Sequence, residues 1–113
     1  MNDWGLTRMQ KPALAERLRQ KILILDGAMG TMLQQERLTA EDFGGEELEG
    51  CNEVLSVTRP DVLTKIHEAY LEAGADILET NTFGATSVVL AEYDIPGRAR
   101  ELNLAAARLA VEA

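Results

Sequence analysis

A continuous apolar run, Ile22-Leu23-Ile24-Leu25, is cut off sharply by Asp26-Gly27, and this junction constrains the fold more than any other feature of the chain. A strand that is apolar on both faces must be covered on both faces, which is the habit of parallel sheets flanked by helices. A second strand is predicted at residues 76–80, Asp76-Ile77-Leu78-Glu79-Thr80, running straight into the polar pair Asn81-Thr82.

Helical patterns fill the remainder. Leu14 and Leu18 share a face over 12–19, and a short helix fits 31–35. The clearest helix covers 58–73. Thr58 is its expected cap, Asp61 the capping-box partner and Pro60 the first-turn proline. Val62, Ile66, Ala69, Tyr70 and Ala73 form its apolar stripe, and Gly74 suits a left-handed cap. Further helices are predicted at 86–92 and from Pro96 onward, where Ala99, Leu102, Ala106 and Leu109 recur at helical spacing. Residues 39–53 are acidic and glycine-containing, and read as an ordered excursion or a flexible loop. Residues 1–11 read as a flexible lead. Strands separated by helices give an α/β class with parallel strands and right-handed crossover helices.

Composition removes several function classes. Acidic residues outnumber basic ones 19 to 11, for a net charge of −8, the wrong sign for nucleic acid or an anionic membrane surface. The single cysteine, Cys51, excludes an internal disulfide and fits a reducing compartment. No run reaches the roughly 20 apolar residues of a membrane span, and no signal-type segment opens the chain, so a cytoplasmic protein is expected.

Ligands in parallel α/β folds collect at the carboxyl ends of strands. Two places qualify. In Asp26-Gly27-Ala28-Met29-Gly30-Thr31 the aspartate can take an ammonium group, while the glycines let backbone N–H groups approach a carboxylate. Equally, Asp26 can bond the backbone of its own loop in a tight turn. In Glu79-Thr80-Asn81-Thr82-Phe83-Gly84, polar groups crowd the end of a buried strand and need partners, from a substrate or from a neighbouring loop. His67 falls on the flank of its helix and reads as a boundary residue with no catalytic role. Cys51 has no basic neighbour to lower its pKa and reads as inert. The second aspartate of an aspartate-nucleophile phosphatase is absent, since Ala28 stands there.

Taken together, residues 24–31 and 73–84 resemble the opening of the homocysteine S-methyltransferase family. Gly50-Cys51-Asn52-Glu53-Val54-Leu55, Arg59-Pro60 and Ile66-His67-Glu68-Ala69-Tyr70 fit the family pattern between them. The similarity runs from about residue 12 onward and is nearest the homocysteine-binding domain of the cobalamin-dependent branch. It implies a (β/α)8 TIM barrel, with residues 12–113 as the N-terminal portion of the homocysteine-binding domain. It also implies a zinc-activated homocysteine thiolate that attacks a methyl group carried on cobalamin, giving methionine. Asp26, Gly27, Ala28, Asn81 and Thr82 carry over as contacts to the homocysteine amino-acid moiety. No catalytic residue and no metal ligand carries over, because the family's zinc cysteines lie further downstream and Cys51 matches none of them.

Such a barrel needs about 250 residues, against 113 here. The expectation is therefore a partial domain, inactive alone, with zinc and cobalamin belonging to the full-length family member. Unpaired strand edges and uncovered apolar faces further predict a homo-oligomer. The rival readings are a non-catalytic, self-associating binding module and an unrelated small α/β enzyme using Asp26. Because a zinc site needs about three or four ligands and the chain has one cysteine, metal analysis of purified, chelator-free protein should find no stoichiometric zinc. One tightly held zinc per chain, lost on Cys51→Ala, would overturn this.

Overall fold

The computed structural model describes residues 13–113; the expected lead at 1–11, and Pro12 of the first expected helix, lie outside them. Seven α-helices occur among the described residues: α1 Leu14–Gln20, α2 Met29–Gln35, α3 Ala40–Phe43, α4 Leu55–Thr58, α5 Pro60–Glu72, α6 Ser87–Leu90 and α7 Ala99–Glu112. Single 3-10 turns at Glu46–Leu48, Asn52–Val54, Ala91–Tyr93 and Pro96–Arg98 connect them. The acidic stretch at 39–53 is thus an ordered excursion.

Residues 22–25 and 76–80 run side by side, joined by one parallel bridge between Leu25 and Ile77. The Ile77 N–H donates to the Ile24 carbonyl at 3.1 Å and the Asp26 N–H donates to the Ile77 carbonyl at 2.9 Å. No longer ladder forms among the described residues. Coverage on both faces, expected for the first segment, is not found: Ile22 is 88% exposed, Ile24 56% and Leu25 50%. A parallel strand is covered only where helices lie on each face, and α1 does not supply that cover, because its own Leu14 and Leu18 are also exposed.

Two aspartates do the stitching that a ladder would otherwise do. The Asp76 carboxylate accepts from the Ile24 N–H at 2.9 Å and from Lys21 Nζ at 3.0 Å, with Arg17 nearby. Asp26 Oδ1 accepts from the Glu79 N–H at 3.0 Å. Each segment therefore offers a carboxylate to the backbone of the other, on either side of the bridge.

The core is helical. Val54, Leu55, Leu63, Ile66, Leu90 and Leu102 are each 1% exposed or less, at the meeting of α4, α5, α6 and α7. Pro60 opens α5 as expected, but Thr58 does not cap it. Thr58 instead completes α4, its hydroxyl donating to the Val54 carbonyl at 3.2 Å. Asp61 is held by the Arg59 guanidinium, which also grips Asp42 of the excursion. The buried face of α5 is Val62, Leu63, Ile66 and His67, whereas Ala69 and Ala73 are exposed. The larger Leu63 buries more apolar area than either alanine, and the helix is rolled toward it. Its end matches expectation. Gly74 has φ +111°, with Gly74 N–H to Leu71 O and Ala75 N–H to Tyr70 O, both at 3.0 Å, which is a Schellman cap.

The Ile24 amide, and next to it Lys21, hold the Asp76 carboxyl below the usual carboxylate value. A carboxyl with a depressed folded-state pKa contributes stability above its unfolded value, and that contribution is lost as pH falls through the folded one. Asp76 should therefore support the fold near neutrality and lose that support progressively as pH falls below about 4. Unfolding measured from neutrality into acid should show a loss that Asp76→Asn reduces, alongside a displaced Ile24 amide resonance. An acid limb identical in the variant would remove Asp76 from the explanation.

Candidate functional site

One open cavity of about 480 Å³ lies at the carboxyl ends of the two paired segments. That is within the size range of small-molecule sites. Asp26, Gly27, Ala28, Asn81 and Thr82 all line it, so the structure brings every carried-over residue to one place. Fifty-odd residues of chain separate the two groups. The bridge and the two aspartate clamps are what close that distance.

Asp26 is 8% exposed. Its carboxylate bonds the Glu79 amide of the opposite segment, so the alternative in which it serves only its own loop is not what the geometry shows. Its Oδ2 meets no hydrogen-bond donor among the described residues and remains able to accept from a ligand. Asn81 is 7% exposed. Its Nδ2 donates to the Asn52 carbonyl at 2.8 Å and more weakly to Ser56 Oγ at 3.5 Å. The carbonyl partner fixes which end of the amide is nitrogen, and Oδ1 meets no donor among the described residues. Thr82 shares a 2.7 Å hydroxyl bond with Thr80. Phe83 stands fully exposed at the rim.

Helix α5 underlies the Asp26 loop. The Tyr70 hydroxyl donates to the Ala28 carbonyl at 3.1 Å, tying the loop to the last turn of the helix. His67, one turn earlier, is 1% exposed. It is therefore a core residue and not the boundary residue expected from periodicity; the roll of α5 toward Leu63 carries it inward. Its Nδ1 has no hydrogen-bond partner among the described residues. Burial pushes its pKa down, while the nearby Asp26 charge pulls the other way. Cys51 is 2% exposed, and burial, reinforced by Glu53, pushes its thiol pKa up. That agrees with an inert thiol.

Sequence reasoning missed Asn52 and Glu53, which also line the cavity, and Tyr70 as a loop anchor. The available signal was an amide and a charge placed directly before the apolar Val54-Leu55, where a solvated loop has no need of a fixed polar pair. The donor set does not fit zinc. The chain has one cysteine, and among the described residues no group of three or more His, Cys, Asp or Glu could hold a metal. Nor does the chain's histidine, His67, line the cavity.

The sequence profile of the family described as homocysteine S-methyltransferase matches residues 23–113. The methionine synthases of Mycobacterium leprae and Mycobacterium tuberculosis are each 56% identical to the chain over 90 residues, covering 80% of it and 7% of each relative. The chain thus spans less than a tenth of the length of these relatives.

An imidazole whose pKa is lowered by folding binds a proton more readily in the unfolded chain. Its contribution to stability is whole above the ordinary value of 6.5 and is lost as pH falls below it. Nitrogen chemical shifts of the His67 ring, followed from neutrality into acid, should place its half-protonation below the ordinary value of 6.5. Half-protonation at or above 6.5 would contradict the burial described here.

Proposed function

The chain belongs to the homocysteine S-methyltransferase family, and we propose from that premise that its cavity binds homocysteine for methyl transfer to the sulfur, forming methionine. The observation that carries this reading is the convergence of Asp26, the Gly27-Ala28 loop, Asn81 and Thr82 on one small cavity. An α-amino acid needs an anion for its ammonium group and donors for its carboxylate. Asp26 Oδ2 and Asn81 Oδ1 serve the first need; the backbone N–H groups of the Gly27-Ala28 loop serve the second. The carboxylate–ammonium contact is a charge-assisted hydrogen bond in a partly dry site, which makes it the strongest single term available.

The architecture carried by this reading is a (β/α)8 barrel to which residues 12–113 contribute the opening units. The parallel bridge between two segments joined by one helical crossover supports it. Zinc and cobalamin, implied for a whole family member, have no ligands among these lining residues, so thiol activation is not assigned to them. Exposed Leu14, Leu18, Ile22, Ile24 and Leu25 support self-association into a homo-oligomer. No described helix is long and apolar enough to cross a membrane, and with a single buried cysteine the cytoplasm is the compartment we assign.

Calorimetric titration with L-homocysteine tests the reading. Asp26→Asn keeps an oxygen for the Glu79 amide, so the fold should survive while affinity falls about tenfold or more, as expected for a lost charged hydrogen bond of about 1.5–3 kcal/mol. A folded variant that binds as tightly as the parent would sink the assignment of Asp26.

A further inference from the structure

We propose that Glu53 is a second, specificity-determining contact for the substrate ammonium group, acting beside Asp26 to admit amino acids and reject their des-amino counterparts. This rests on the homocysteine reading above and names a residue that reading does not use.

Glu53 sits in the 3-10 turn Asn52–Val54. The turn is pinned at both ends: the Asn52 carbonyl accepts from Asn81, and the Val54 side chain is fully buried. A half-buried glutamate on so fixed a turn has little freedom to leave the cavity wall it forms.

The backbone facing it has made room. A Cβ on Gly84 would overlap a Glu53 carboxylate oxygen, lie 3.2 Å from Glu53 Cδ and approach Val89 Cγ1 to 3.1 Å. Gly84 is not among the glycines of positive φ. Backbone conformation therefore does not require glycine here, and space for the Glu53 carboxylate, together with Val89, is what its missing side chain provides. A surface glutamate with no task needs no such notch.

The carboxylate so placed is unpaired. No ion pair or side-chain hydrogen bond engages Glu53 among the described residues. The cavity wall includes Asp26, Glu53 and Glu79, and no lysine, arginine or histidine. Like charges lining one partly enclosed space repel, and a ligand cation entering it relieves that repulsion. A ligand carrying only a carboxylate meets the same field with the opposite sign. The pair Asp26 and Glu53 thus supplies both attraction for an ammonium group and a penalty against its absence, the two halves of specificity.

Calorimetric titration of the full chain with L-homocysteine and with the des-amino thiol acid of equal length decides the matter. The parent should prefer homocysteine by about tenfold or more. Glu53→Gln, which keeps shape and removes charge, should weaken homocysteine binding about tenfold while leaving the thiol acid unchanged or improved. Gly84→Ala should reproduce the loss in the parent background and add nothing to Glu53→Ala, with thermal melts confirming that each variant folds. If Asp26→Asn weakens binding and Glu53→Gln changes neither affinity nor preference, Glu53 has no such role and the homocysteine reading stands. A parent that binds neither ligand overturns both.

Discussion

The reciprocal aspartate clamp is the interaction on which the rest of the arrangement depends. With a single bridge between residues 22–25 and 76–80, the backbone alone gives two extended segments little to hold them in register. Asp76 accepts from the Ile24 amide on one side of the bridge, and Asp26 accepts from the Glu79 amide on the other. Charge-assisted bonds to backbone N–H groups are roughly twice as strong as neutral ones, so two of them can fix what one ladder rung cannot. The clamps differ in one respect. Asp76 is further neutralised by Lys21 and Arg17, whereas no cation pairs with Asp26 among the described residues.

That difference explains how one residue serves structure and site together. Asp26 uses Oδ1 for the register, while its Oδ2 meets no donor among the described residues and the residue also lines the cavity. Its neighbours preserve that division. Helix α5 brings His67 beneath it, and a charged imidazole there would compete with any ligand ammonium group. Burial pushes the ring's pKa down and so disfavours that charged form. Tyr70, on the same helix, holds the Ala28 carbonyl and with it the Gly27-Ala28 loop that lines the cavity. The helix read from sequence as a covering element is thus also the base of the site.

Much of the site was legible because its two main pieces are local. An apolar run ending in Asp26-Gly27, and another ending in Asn81-Thr82, announce strand ends whose polar groups need partners, and the structure gathers both around one cavity. What was not legible comes from residues whose roles are set across the fold. Asn52 and Glu53 reach the cavity from the crossover excursion, and no spacing in the sequence records that approach. The face of α5 was misplaced by a fraction of a turn because periodicity weighs Ala69 and Ala73 like any apolar residue, while packing weighs them by area. Thr58 and Asp61 have the spacing of a capping box, but the α4 turn takes the first and Arg59 the second.

The exposure of Ile22, Ile24 and Leu25 follows from the same reasoning about area and cover. These side chains alternate between two faces of a segment that pairs, among the described residues, along one edge only. Covering them requires either more strands in the sheet or another surface laid against it. The clamp fixes the backbone without regard to that cover, since its bonds run between the segments and not above or below them. Site geometry and sheet coverage are therefore separable in this chain. The cavity at the carboxyl ends is set by Asp26, Asp76 and α5, while the apolar faces below it remain available to whatever completes the layer.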